Sequence, residues 1–190
     1  MLTFNYRKRL KVILNILILL LLFSSTTFAQ SDINQGFDID VDPIAFALNG
    51  FSFHGGYITG AYRYDLGVFG LDIPEWLHGN ENFSTSFVGA GWKVDRFLKG
   101  YADGFFAGID GGISRLTVTH AATDTDKDRL QYMLGIRGGY RWHTGLGNLF
   151  VTPWLGLGYV LNAEDIEIEG DVFESSAFTP FPTIHIGWKF

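Results

Sequence analysis

Strict alternation of apolar and polar residues, repeated segment after segment, limits this chain's fold more than any other feature. In residues 129–144, Leu130, Tyr132, Leu134, Ile136, Tyr140 and Trp142 oppose Arg129, Gln131, Gly135, Arg137, Arg141 and His143. Successive side chains of a β-strand point to opposite faces, so this run predicts a strand with one apolar and one charged face. The same period of two recurs in residues 61–71, 83–97, 105–119, 149–162 and 178–190. In the last of these, Phe178, Ile184, Ile186, Trp188 and Phe190 oppose Thr179, Thr183, His185, Gly187 and Lys189. No helical period of 3.6 is sustained over a long window, and beyond the N-terminal segment no apolar run approaches the roughly 18 residues of a membrane helix.

The connections alternate as well. Residues 145–148 are short and 98–104 moderate, whereas 72–82, 121–128 and 163–177 are longer and more polar. An up-and-down antiparallel barrel in an outer membrane is wired in this way, with tight turns at one end and longer loops at the other. Residues 51–58 add a seventh strand, with Phe51, Phe53 and Tyr57 opposite Ser52 and His54. Because an even number is expected, an eighth strand is placed within residues 37–48 and joined through Asn49-Gly50, a dipeptide suited to a two-residue hairpin turn. A competing reading makes residues 42–50 a short helix, with Asp42 as N-cap, Pro43 in the first turn and Gly50 past its end. Eight strands of roughly 10 residues need about 80 and leave as many for turns and loops.

The chain begins with a different kind of segment. Arg7, Lys8, Arg9 and Lys11 precede an apolar stretch over residues 12–23, followed by Ser24, Ser25, Thr26, Thr27, Phe28 and Ala29. This order is that of a secretory signal peptide over residues 1–29, leaving 30–190 as one barrel domain. A membrane-anchoring helix is the alternative, but the stretch is short of the roughly 20 residues a bilayer requires. Cleavage after Ala29 removes four basic and no acidic residues, so the whole-chain charge of −6 becomes −10, ten basic against 20 acidic residues. An acidic exported protein is a poor partner for nucleic acid. The absence of cysteine excludes disulfide scaffolds, thiolate metal sites and cysteine nucleophiles.

Alternation alone does not say which face looks outward. The glycines answer part of this, because Gly56, Gly67, Gly89, Gly91, Gly108 and Gly135 lie on the charged face, as a crowded barrel interior requires. On the apolar face Tyr62, Tyr64, Tyr140, Trp142, Trp188 and Phe190, with Phe105, gather near the short-turn ends, where amphipathic rings form a lipid-interface girdle. The interior then holds a polar network of Arg63, Asp65, Lys93, Asp95, Asp110, Arg137, Arg141, His54, His143 and His185. Arg137 is expected to pair with Asp110, and Arg63 with Asp65 or Asp95. A soluble, lipid-binding barrel with its aromatic face inward is the opposite solution.

With its aromatic ending Thr183-Ile184-His185-Ile186-Gly187-Trp188-Lys189-Phe190, the chain from about Pro43 onward resembles the small outer-membrane β-barrel proteins of Gram-negative bacteria. That superfamily includes OmpA-like, OmpX-like and lipid A-modifying barrels. The resemblance implies an eight-stranded transmembrane barrel, contact with outer-membrane lipids and lipopolysaccharide, and recognition of the C-terminal strand by the outer-membrane assembly machinery.

Chemistry is sparse. Lipid A-modifying barrels of that group place His, Ser and acidic residues at the outer rim; here His120, Ser114, Glu174, Ser175 and Ser176 are the candidates, with no His-x-Ser pair on one strand face. Asp124, Asp126 and Asp128 match the start of a calcium loop, but Arg129 occupies the position of the turn glycine and no closing glutamate follows. Residues 163–177 carry Glu164, Asp165, Glu167, Glu169, Asp171 and Glu174 without a base. This reads as a solvated acidic loop, able at most to attract the divalent cations that bridge lipopolysaccharide. The expected function is therefore a non-enzymatic outer-membrane barrel with a structural or surface-interaction role, without cofactor or metal. The alternatives are a lipid A or phospholipid acyl hydrolase or transferase, and a narrow pore.

Overall fold

A computed structural model of the chain describes residues 35–190. The expected signal peptide, residues 1–29, lies outside the described residues. The barrel strands are β1 (Gln35–Val41), β2 (Phe51–Thr59), β3 (Tyr62–Ile73), β4 (Phe83–Phe97), β5 (Gly104–His120), β6 (Thr125–His143), β7 (Leu149–Val160) and β10 (Phe178–Lys189). A small hairpin, β8 (Ile166–Ile168) and β9 (Asp171–Phe173), stands apart between β7 and β10. The eight strands form a closed antiparallel ring in the order β1-β10-β7-β6-β5-β4-β3-β2. Each strand therefore pairs with its neighbour in the chain apart from the hairpin, and β1 closes on β10 through Asp38–Lys189, Ile39–Trp188, Asp40–Gly187 and Val41–Ile186.

The first connection departs from the expected hairpin. Strand β1 ends at Val41, and a short helix, α1 (Pro43–Ala47), follows. The Asp42 side chain caps it by accepting from the Ile44 backbone N–H at 2.8 Å. Pro43 has no N–H to give a ladder, and its fixed φ suits the first helical turn, so the strand cannot run on to residue 48. Asn49, at φ 61°, belongs to the helix exit and not to a two-residue turn. The second loop holds another short helix, α2 (Glu75–His78).

Outward positions along the middle of the wall are apolar and exposed, among them Leu66 (72%), Ile109 (51%), Leu134 (50%) and Ile136 (64%). Inward positions are buried and charged, with Arg141 only 1% exposed. This reverses what a soluble barrel with an inward apolar face requires, and it is the cross-section of a membrane-spanning barrel, in which closure leaves no unpaired edge in hydrocarbon.

Near the loop end the polarity inverts. On β5, Ile113 faces outward, but the next outward positions are Arg115, Thr117 and Thr119, while Leu116 and Val118 turn inward and are buried. Thr117 Oγ1 donates to Asp128 Oδ1 and Thr119 Oγ1 to Asp126 Oδ1, each at 2.6 Å, on the outside of the wall. The strands therefore continue above the apolar band, and the connection expected over residues 121–128 shrinks to 121–124. Asp126 and Asp128 are strand residues, which removes the calcium-loop resemblance.

Inside, glycines make room for large polar groups. A Cβ at Gly56 would overlap Asp38 Oδ1 and the Arg63 guanidinium, and one at Gly67 would overlap the His54 ring. The inversion predicts a depth-dependent response to charge. Ile136→Arg, at the centre of the apolar band, should cost about 2–4 kcal/mol, and Thr117→Arg, above it, about 0–1 kcal/mol, as read by denaturant unfolding in lipid vesicles.

Candidate functional site

The lumen is filled by two apolar clusters and a set of charges. At the short-turn end Ile58, Phe97, Ala102, Phe106 and Trp154 pack together with Phe181. At the loop end Phe83, Leu116 and Val118 receive Ile166, Ile168 and Phe173 from the β8–β9 hairpin. The charge cluster lies below the loop-end apolar cluster and packs among the short-turn one, with Arg63 in register with Ile58 and Arg137 against the Phe106 and Trp154 rings.

Arg63 on β3 is the hub of that cluster. Its Nη2 lies 2.7 Å from Asp38 Oδ1, 2.6 Å from Asp40 Oδ2 and 2.8 Å from Asp65 Oδ2. Its Nε also donates to Asp38, which accepts in addition from Arg141 Nη2 at 2.6 Å. Asp65 Oδ1 is 2.9 Å from His54 Nδ1 and 3.3 Å from Lys93 Nζ. Asp40 Oδ1 is 2.6 Å from His185 Nδ1. Arg137 pairs with Asp95 at 3.2 Å, and its guanidinium lies 3.9 Å from the Trp154 ring centroid, while that of Arg141 lies 3.5 Å from the Phe150 ring. Among the described residues five buried carboxylates, Asp38, Asp40, Asp42, Asp65 and Asp95, meet five buried cations, Arg63, Lys93, Arg137, Arg141 and Lys189. Charges removed from water persist when they are paired, and this set is near-neutral, although Asp95 Oδ1, Arg137 Nε and Nη1 and Arg141 Nε are buried without a hydrogen-bond partner.

The residues expected in the interior do not all join the cluster. Arg63, Asp65, Lys93, Asp95, Arg137, Arg141, His54 and His185 sit together as described. Asp110 faces inward but is only half-buried, and the expected Arg137–Asp110 pair gives way to Arg137–Asp95. Arg63 takes Asp65 and not Asp95 as its ion-pair partner. His143 stands at the short-turn end, 3.3 Å from Asp103 Oδ1, away from the hub. In that turn Asp103 is partly buried, which alone would raise its pKa. Hydrogen bonds from Lys99 and His143 outweigh this and hold it below the usual carboxylate range. Asp38, Asp40 and Asp42 were not among the expected residues, although Phe37-Asp38-Ile39-Asp40-Val41-Asp42 carries the alternation that places them inside.

Tyr62, Tyr64, Trp142 and Phe190 are exposed on the outside, and Tyr140 and Trp188 half-exposed there. Tyr62 and Tyr64 stack at 6.4 Å, and Phe105 meets Tyr140 edge to face at 4.8 Å.

The acidic loop expected over residues 163–177 is a structured stopper. Besides its apolar side chains, Lys127 Nζ donates to the Glu167 carbonyl, and Arg129 donates to the carbonyls of Glu164 and Asp165. Asn80 and Glu174 exchange backbone and side-chain bonds, and His120 Nε2 lies 3.0 Å from Asp171 Oδ2. Among the rim serines, the Ser175 N–H donates to Asp165 Oδ1 and Ser176 Oγ to the Phe178 carbonyl, so neither bond is to His120.

Two features bear on ligands. The ligand atoms of Asp40, His54 and His185 lie within 4.8 Å of one another, close enough for a metal ion. Arg63 already occupies Asp40, and Lys93 Nζ stands 2.9 Å from His54 Nδ1, so a dication there would face two cations. The residues fit a hydrogen-bonded network better than a metal. A cavity of about 10 Å³ lined by Asp40, Arg63, Asp95, Phe97, Arg137, Arg141, Thr152 and His185 has room for at most one water and not for a solute.

No family model matches the chain, and no curated protein matches it. Solved structures similar to it include the N-terminal β-barrel domain of OprF from Pseudomonas aeruginosa, at 13% identity and a TM-score of 0.48, covering 83% of this chain and 98% of that one. Neisserial surface protein A is similar at 14% identity and a TM-score of 0.47, covering 82% of this chain and 96% of that one.

Asp38 is the test of the cluster, because Arg141 has no other ion-pair partner among the described residues. Asp38→Asn should cost about 3–5 kcal/mol by leaving a buried cation uncompensated. The Asp38→Asn/Arg141→Met double variant should regain part of it. Denaturant unfolding of the micelle-bound barrel, followed by tryptophan fluorescence, measures both.

Proposed function

We propose that this chain is an integral outer-membrane β-barrel of a Gram-negative bacterium, exported by residues 1–29, whose role is structural or surface-interacting and neither catalytic nor conducting. The observation that carries this reading is the lumen, where a near-neutral ion cluster packs among apolar side chains and is covered at the loop end by the β8–β9 hairpin. A pore needs continuous water-filled space, and a lumen packed with ion pairs, with about 10 Å³ free among them, offers little to a passing ion. The work of the molecule then falls to its outer wall, which meets membrane lipid through the aromatic residues near the short-turn end, and to its loop end. There the exposed acids of the hairpin and of β6 meet lipopolysaccharide, through its bridging divalent cations, or a partner surface. Strand β10, with Trp188 outward beside Phe190, is the segment offered to the assembly machinery.

One observation favours a catalytic reading. His120 Nδ1 lies 3.0 Å from Thr123 Oγ1 and its Nε2 3.0 Å from Asp171 Oδ2, a hydroxyl–imidazole–carboxylate chain at the loop end. Such a chain activates a hydroxyl for acyl transfer when oxyanion donors complete it. The same bonds also tether the hairpin to the rim, and the tether is the reading adopted. Incubation with lipopolysaccharide or phospholipid followed by mass spectrometry decides between them: products released by the native barrel and lost in Thr123→Ala would establish the catalytic reading.

Single-channel recording should give no conductance steps from the folded barrel. The chain has no cysteine, so single labels report orientation: on intact cells a membrane-impermeant maleimide should label Ala122→Cys, in the loop-end turn, and leave Leu146→Cys, in the short turn, unmodified. Conductance steps, or the reverse labelling, would overturn the proposal.

A further inference from the structure

The outer wall is not evenly covered. Across β5, β6, β7 and β10 it carries a shallow, open groove of about 650 Å³. Phe105 and Tyr140 form one side, Leu155 and Pro182 the other, and Gly138 and Pro153 lie between. The recess has two local causes. Gly138 takes an outward position without a side chain, opposite Ala107 in register, so two adjacent strands lack bulk where their neighbours carry Ile109 and Ile136. In addition, Pro153 has no N–H, and the β6–β7 register, continuous from Met133 to Gly139, is interrupted at Tyr140 and Arg141 before resuming at Trp142. Behind this stretch of wall Trp154, a lining residue 8% exposed, has an indole N–H without a hydrogen-bond partner.

A cation stands at the short-turn end of this groove. Arg96 on β4 is exposed on the outward face, two residues before the groove residue Leu98, and is in register with Ala107. It makes no ion pair among the described residues, unlike Lys99, which is taken by Asp103 at 2.7 Å. From β5 to β10 the groove crosses three interstrand steps of about 4.8 Å, some 14 Å around the wall.

We propose that this groove is a specific site for one anionic phospholipid, an acyl chain lying over Gly138 between Tyr140 and Leu155 and the phosphate held by Arg96. The inference rests on the membrane reading given above. An outward apolar recess within the bilayer meets acyl chains, and a guanidinium at the headgroup level forks onto phosphate oxygens. The net charge of the headgroup decides the preference, because Arg96 is not neutralised by the protein.

Gly138 provides the test, since a Cβ there meets only the Phe106 carbonyl oxygen at 3.5 Å and a larger side chain can enter the groove without moving the backbone. The barrel is reconstituted in nanodiscs of equal phosphatidylglycerol and phosphatidylcholine and released for native mass spectrometry. The native chain should carry one phosphatidylglycerol at least fivefold more often than one phosphatidylcholine. Gly138→Leu should lower the bound fraction at least fivefold, and Arg96→Gln should equalise the two lipids. Unchanged binding in Gly138→Leu, or no preference in the native chain, would overturn the site. Heat-dependent gel mobility checks that each variant is folded, and Arg96→Gln, at an exposed position without an ion-pair partner, serves if Gly138→Leu does not fold. Failure of the membrane reading shows separately, as a native chain that does not co-float with lipid vesicles.

Discussion

Backbone N–H and C=O groups that face hydrocarbon must find their partners within the chain, and closure of β1 on β10 is the step that satisfies them. That seam is the weakest ladder of the ring by length, four register pairs on a strand of seven residues. Side chains reinforce it from within. Asp38 and Asp40 project from β1 into the lumen and reach Arg63 on β3, Arg141 on β6 and His185 on β10, so one short strand is tied to three others by charge-assisted bonds. The cluster and the closure are thus one device. Low dielectric strengthens these bonds, and the apolar side chains packed around and above them limit competition from water.

The same arrangement governs what the molecule can do. A lumen spent on holding the ring shut has little free space, which is why the proposed function assigns interaction to surfaces the ring does not need. At the loop end the strands extend above the apolar band, turn their polar side out, and hold a hairpin whose buried side chains, Ile166, Ile168 and Phe173, are apolar and whose exposed ones include Glu167, Glu169 and Asp171. The groove around Gly138 occupies the opposite end of the same logic, a place where the wall itself is thinned by glycine and proline.

How much of this was legible in the chain depends on whether a signal is local. The alternation in residues 129–144 and 178–190 is read correctly because neighbouring side chains report directly on the two faces. It failed at two places. Residues 121–128 looked like a loop because the strands there reverse their polarity, and nothing local distinguishes an inverted strand from a polar loop. The acidic run over residues 163–177 looked solvated because Ile166, Ile168 and Phe173 are spaced too sparsely to announce a buried face. In the interior the residue types were evident but the pairs were not: Arg137 chose Asp95, on a strand two places away around the ring, over Asp110 on the adjacent one.

By itself the sequence determined the strand class, the even count and the division of each strand into an apolar and a charged face, since a period of two is a property of neighbouring residues. It also held both readings of the first connection, and Pro43 separates them at Asp42. The glycines beside the charges and the aromatics opposite them already pointed to a charged interior, but only the tertiary structure decided which carboxylate each arginine takes and that the last loop seals the mouth. Those outcomes depend on shear, closure and the burial of charge, which bring together residues a hundred positions apart and leave no mark within any one strand.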